Sequence, residues 1–245
     1  MVILYIFIAG LTVGSFLNAC IYRIPRGESM IIGFSHCPCC GTRIKVIDLV
    51  PILSFFLLRG RCRSCGCRIS FRYPAVEFTS GLLWVMLFMN YGSGILFYKY
   101  AMFVSLLILI GMIDHETGEV YTSTIIFGVA AGGLFAAFAP GQGIDCILGA
   151  LGGYTLIAAI AITGGMGWGD ADICLLCGLF LGVKYILLMI FISFIIGASA
   201  GLFMIALAGK GGKDRIAFGP YIAASAIVTL FFGSDIVLLY LSMIL

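Results

Sequence analysis

An all-α polytopic membrane protein is the fold class this sequence predicts, with about eight transmembrane helices and a small cytoplasmic zinc-binding insertion after the first helix. Three observations predict it. The 245-residue chain is 62% hydrophobic and only 10% charged, with mean hydropathy +1.18; a soluble domain carries about 25% charge. The apolar residues fall in runs close to the ~20 residues needed to cross a ~30 Å hydrocarbon core. Nine of the 14 basic residues lie between Arg23 and Arg72, and six of the ten cysteines crowd into the same stretch. The net charge of +3 points to no nucleic-acid partner; the expected surroundings are the lipid bilayer. Oligomeric state is not legible.

Residues 1–21 form the first expected span. Basic charge follows this run rather than preceding it, so it reads as an uncleaved anchor with its N-terminus outside. Within it, Gly14-Ser15-Phe16-Leu17-Asn18 is a small, polar patch at lipid depth. Helix packing through small residues accounts for it, and so does a direct role in a site.

Residues 22–73 form the one insertion of soluble character. Their basic charge, and that of Lys210, Lys213 and Arg215 in a later loop, places both segments in the cytoplasm by the positive-inside rule. A reducing compartment favours metal binding over a disulfide framework. Cys37-Pro38-Cys39-Cys40-Gly41 and Cys62-Arg63-Ser64-Cys65-Gly66-Cys67 are two C-x2-C knuckles. Knuckles at such a spacing bring four thiolates around a tetrahedral zinc ion, with Cys37, Cys40, Cys62 and Cys65 as the favoured ligands and Cys39 and Cys67 spare. A closed four-thiolate site leaves no open position for water, so the zinc is expected to be structural. Such binding contributes about 10 kcal/mol to the folding of a small module. Between the knuckles, residues 49–58 are apolar but too short to span. They are expected to lie on the membrane surface.

Residues 74–245 hold the remaining spans, expected at 74–92, 97–113, 122–140, 144–163, 171–183, 185–208 and from 218 onward. Pro74 suits a helix start. Glu77 reads either as a charge complementing the helix dipole or as a polar contact at a site. Counting crossings from an outside N-terminus puts Asp114 and Asp170 on the cytoplasmic side with the cysteine module. Carboxylates at span ends are costly unless used or paired. Two brought together share a proton, one acting as base and the other as acid, so that a water between them is activated. Gly167 and Gly169 beside Asp170 let a substrate strand approach the backbone. Three other accounts stand beside this one: helix capping by each aspartate, a proton relay in an ion- or proton-coupled transporter, and a zinc-bearing scaffold without chemistry. His115 reads as a solvated turn residue, and Cys174 and Cys177 as small hydrophobes.

The chain resembles the type IV prepilin peptidase family along nearly its whole length. The matching residues are Gly14 to Asn18 with Ile21 to Pro25, the two knuckles with Arg59-Gly60-Arg61-Cys62, and Ile69 to Glu77. They continue with Ile113-Asp114, Gly167-Trp168-Gly169-Asp170 and Phe218-Gly219-Pro220. The resemblance implies an inner-membrane, multi-pass aspartyl endopeptidase of the GxGD type. Such an enzyme removes the basic leader of type IV pilin-like precursors at the cytoplasmic face. It then N-methylates the new terminal residue with S-adenosylmethionine. Asp114 and Asp170 match the family's catalytic acids, the insertion goes with methyltransferase-bearing members, and Glu77 falls in a matching stretch. The sequence departs from the family pattern at Val120-Tyr121-Thr122, where Leu-Pro-Asp is common, and at Asp172, where Lys is common.

Overall fold

The computed structural model describes residues 1–30, 33–138, 143–208 and 217–244. Among them there are eight α-helices and no strand: α1 Val2–Arg23, α2 Leu53–Leu57, α3 Arg72–Tyr91, α4 Ile95–Thr117, α5 Thr122–Phe138, α6 Gly143–Ile162, α7 Trp168–Ala208 and α8 Gly219–Ile244. Five of them (α1, α4, α6, α7 and α8) are long and apolar enough to cross a membrane. The other two expected spans are α3 and the 17-residue α5.

The expected sixth and seventh spans are one 41-residue element, α7, broken inside by Gly182 at φ 76° and ψ 177°. No loop separates them because the break is capped from a neighbouring helix: Asp145 of α6 accepts the Val183 N–H at 3.4 Å. Eight apolar helical segments result when α7 is counted as two. α8 runs unbroken through Gly233-Ser234-Asp235. The expected basic loop 210–215 and the Pro140-Gly141 break lie outside the described residues.

The chain divides into two compact units, Met1–Leu109 and Ile110–Leu245, with the division inside α4. In the first unit α1 and α3 pack along a seam of small residues. A Cβ at Gly10 would lie 2.8 Å from the Gly81 Cα, and the Ser80 hydroxyl donates to the Gly10 carbonyl at 2.8 Å. This is the close backbone approach that small residues allow in lipid. Near the same seam the Asn18 amide donates to the Tyr73 carbonyl at 3.0 Å.

The insertion of the first unit contains little regular structure: a 3-10 turn over Val46–Leu49 and the single-turn α2. Its apolar side chains face outward. Val46 and Leu57 are each 80% exposed and Phe56 is 66% exposed. Arg63 holds Asp48 at 2.6 Å, and that guanidinium keeps the Asp48 carboxyl below its ordinary range.

The second unit buries its core along α7. Ile173, Leu176, Cys177 and Met189 are fully covered, as is Ile222 of α8. Cys174 and Cys177 therefore pack as the small hydrophobes the sequence suggests.

Candidate active site

Asp114 sits on the last turn of α4, which ends at Gly118, where the glycine N–H returns to the Asp114 carbonyl at 2.8 Å. Its side chain is buried at 4% exposure. The Oδ2 atom accepts the backbone N–H of Gly219 at 2.8 Å. Gly219 is the first residue of α8, followed by Pro220. Pro at the second position is favourable because that N–H has no helical partner. The free N–H at a helix start also carries the positive end of the dipole, a natural anchor for a carboxylate.

Asp170 sits in the first turn of α7 and is 8% exposed. Its Oδ2 accepts the N–H of Gly167 at 3.1 Å, while its own N–H donates to the Gly167 carbonyl at 3.2 Å. This is half of a capping box: the third helical residue reaches back to the residue before the helix. The cap uses one carboxylate oxygen and leaves the other available. The Asp114 charge acts on Asp170, so the two carboxylates, far apart in sequence, lie within electrostatic range. Each is held by one neutral backbone donor among the described residues.

Gly169 has a packing role beside the substrate approach read from sequence. A Cβ there would lie 2.7 Å from Val120 Cβ, so the turn after α4 is seated against the start of α7. Glu77 belongs to the first unit; its Oε2 accepts the Ile52 N–H at 2.7 Å. His115, Glu116 and Glu119 are exposed, and Asp172 is half-buried.

The four favoured thiols do converge. The sulfurs of Cys37, Cys40, Cys62 and Cys65 all lie within 4.8 Å of one another, and Cys37 and Cys65 are 3.9 Å apart. A tetrahedron with Zn–S near 2.3 Å has sulfurs about 3.8 Å apart, so the set fits the ion. The two knuckles repeat one backbone pattern. Gly41 N–H donates to Cys37 O and Gly66 N–H to Cys62 O, each at 2.9 Å. Antiparallel bridges close them, His36 to Arg43 and Arg61 to Arg68. Gly41 and Gly66 stand at φ 68° and 71°, the left-handed turn that glycine adopts freely.

The crowded sulfurs perturb one another. The Thr42 hydroxyl and backbone bring the Cys40 thiol down to about 6. Backbone groups of Cys65 and Ser64 lower Cys62. Cys65 is pushed up to about 11: the Cys67 backbone opposes the rise, while desolvation and the thiols of Cys40, Cys62 and Cys37 drive it. One thiol keeps a proton that its neighbours share, the proton a cation displaces.

Residues 8–91 match the family model of the bacterial Peptidase A24 N-terminal domain. Residues 101–202 match that of the type IV leader peptidase family. A prepilin leader peptidase/N-methyltransferase of Bacillus subtilis (strain 168) is 34% identical over 98% of this chain and 98% of its own length. The chain belongs to the type IV leader peptidase family. Proteins of the same description from Pseudomonas putida (29% identical; 94% of this chain, 90% of the relative) and Neisseria gonorrhoeae (32%; 89% and 86%) are similar as well. No solved structure is a significant match. Within this leader-peptidase chain both aspartates fall in the second matched region, and the four cysteines and Glu77 fall in the first.

Two features escaped the sequence. Gly219 acts through its backbone N–H, and a glycine offers no side-chain signal for that; only its place before Pro220 hints at a helix start. Cys39 and Cys67, expected to be spare, are joined as a disulfide across the two knuckles. Their adjacency follows from the folding of the knuckles and is invisible in spacing alone.

Proposed function

We propose that this chain is a membrane aspartyl endopeptidase that removes the basic leader of type IV pilin-like precursors at the cytoplasmic face and then N-methylates the newly exposed residue. One observation carries the reading: two buried carboxylates from different helices lie close enough for the Asp114 charge to act on Asp170, and each accepts one backbone N–H among the described residues.

In this reading the pair shares one proton. The ionised carboxylate takes a proton from a water placed between them as it attacks the scissile carbonyl, and the protonated one donates to the carbonyl oxygen. The Gly219 and Gly167 N–H groups fix one oxygen of each acid and leave the other toward the water. The exposed acids Glu116 and Glu119 draw a basic leader toward the site. The distribution of Lys and Arg supports a cytoplasmic site and an outside N-terminus.

Cys37, Cys40, Cys62 and Cys65 would hold a structural zinc ion that fastens the 22–73 module; a closed four-sulfur site supplies no Lewis acid to the cleavage. S-adenosylmethionine supplies an electrophilic methyl group to the second reaction. No glycine-rich βαβ nucleotide loop exists among the described residues, and none is assigned to hold that molecule.

The test uses the full-length protein with a pilin-like precursor, S-adenosylmethionine and mass measurement of the product. Asp114→Asn and Asp170→Asn are each expected to abolish leader release while the protein still inserts. Normal processing by either variant refutes the two-acid mechanism.

A further inference from the structure

The seam between α1 and α3 holds a buried polar group that peptide cleavage does not use. Glu77 is 7% exposed. Its carboxylate takes the Ile52 N–H at 2.7 Å, with Ser15 beside it. Both are neutral, and no cationic side chain pairs with Glu77 among the described residues. A carboxylate withdrawn from water in this way lacks its natural complement.

Near it lies a second unmet group. Asn18 is 2% exposed, and its amide nitrogen is committed to the Tyr73 carbonyl. Its Oδ1 atom is sealed from solvent and has no partner among the described residues. Buried acceptors left unpaired are rare in native structures. Ser15 and Asn18 are three residues apart on α1 and so share a face. Tyr73 and Glu77 are four apart on α3, the matching face of the partner helix. The helices come close here: a Cβ at Gly14 would lie 2.7 Å from the Glu77 Cα.

The third observation is strain. Ile52 follows Pro51 and stands at φ 61°, which is a true outlier for a β-branched residue. Strained backbone of this kind persists where surroundings over-determine it, and it clusters at functional sites. Glu77 accepts the N–H of this strained residue. The group the site lacks is thus a positively charged one rich in N–H, able to meet a carboxylate and an amide oxygen together.

We propose that Glu77 and Asn18 bind the new N-terminal ammonium of the cleaved peptide and prepare it for methyl transfer, with Ser15 and the Ile52 N–H orienting the carboxylate. This rests on the methyl-transfer half of the reading above. The ammonium passes a proton to Glu77. The freed nitrogen lone pair attacks the methyl carbon of a sulfonium donor, the N–C bond forming as the C–S bond breaks. The sulfur keeps that electron pair and departs as a neutral thioether, and Glu77 returns its proton to water. The amino-acid head of the donor fits this site less well: its carboxylate needs a donor, and the Asn18 nitrogen is already taken.

The experiment uses the full-length protein in detergent and a peptide with the mature N-terminal sequence of a pilin-like substrate, with its terminal amine either free or acetylated. The wild type is expected to bind the free amine about tenfold or more tightly than the acetylated form, and Glu77→Gln to lose that preference. With S-adenosylmethionine added, Glu77→Gln is expected to methylate at least about tenfold more slowly near pH 7 and to recover at pH ~9, where the amine is neutral without help. A merely structural role for Glu77 gives no such recovery. If Glu77→Gln does not accumulate, Glu77→Asp serves: it keeps the amine preference and slows methylation, and loss of the preference there counts against the proposal.

Equal binding of the two peptides by the wild type, or retained preference and methylation in Glu77→Gln, overturns the assignment. So does a defect confined to the affinity for S-adenosylmethionine, which gives the carboxylate to the donor instead. A wild type that neither cleaves nor methylates overturns the underlying functional reading rather than this site alone.

Discussion

The backbone N–H of Gly219 donates to Asp114 Oδ2 at 2.8 Å, and no side chain fits between them: a Cβ at position 219 would lie 2.6 Å from that oxygen. The first residue of α8 thereby fixes the carboxylate at the end of α4. A proton-sharing pair depends on carboxylate placement, and a displacement of about 1 Å is enough to cost ~100-fold in rate.

Gly219→Ala is therefore expected to lower kcat for leader release by about 100-fold with KM little changed, since substrate contacts are untouched. Steady-state kinetics on a pilin-like precursor measures both. An unaltered kcat removes Gly219 from the machinery, and a rise in KM alone assigns it to substrate binding.

Gly169 and Val120 make a second steric pair, with 2.7 Å separating a Cβ at 169 from the valine Cβ. Gly169→Ala is expected to destabilise the second unit by about 1–3 kcal/mol through overpacking and to depress cleavage. Val120→Gly in the same chain is expected to restore part of both, because it removes the valine Cβ together with the methyls that meet a side chain at 169. A thermal melt and cleavage assay across the four-member cycle gives the coupling. Strictly additive effects break the link between these residues.

How far the sequence disclosed this site follows from which atoms carry it. Asp114 and Asp170 stood out because a charge at the end of an apolar run is conspicuous. The metal cluster stood out because C-x2-C spacing is a geometric constraint written in one residue type. Gly219 did not, since its contribution is a peptide N–H, which every residue but proline has. The break at Gly182 was visible only as a thin place between two expected spans. Its cap, Asp145, lies 38 residues away and carries no local sign of its partner. The packing of Gly169 against Val120 was hidden for a related reason: sequence shows that space is kept, not what fills it.

The Cys39–Cys67 disulfide and the four-sulfur cluster make separable contributions. Cys39→Ser and Cys67→Ser are expected to retain a full equivalent of metal, whereas Cys37→Ser, Cys40→Ser, Cys62→Ser and Cys65→Ser lose it. A crosslink closing a loop of this size stabilises by about 3 kcal/mol, so the first pair lowers the melting temperature of the module without emptying it. Elemental analysis beside a melt distinguishes the two groups. Loss of metal in Cys39→Ser redraws the ligand set.

Zinc affinity of the same cluster is expected to depend on pH in a way its thiols dictate. Metal binds thiolates, so every thiol still protonated in the free protein must release its proton on binding. Cys40 is already ionised above about 6, whereas Cys65 holds its proton up to about 11. Across neutral pH, acidification therefore weakens binding because Cys65, at least, competes with protons. Below about 6 Cys40 joins it, and log affinity falls more steeply with each further unit. Competition against a chelator of known affinity from pH 5 to 8 is expected to show that break in slope near 6. A Thr42→Val variant, which removes the hydroxyl next to Cys40 Sγ at 3.3 Å, is expected to move the break upward. A slope that stays constant through pH 6 contradicts the assignment of Cys40 as the ligand pre-ionised by its neighbours.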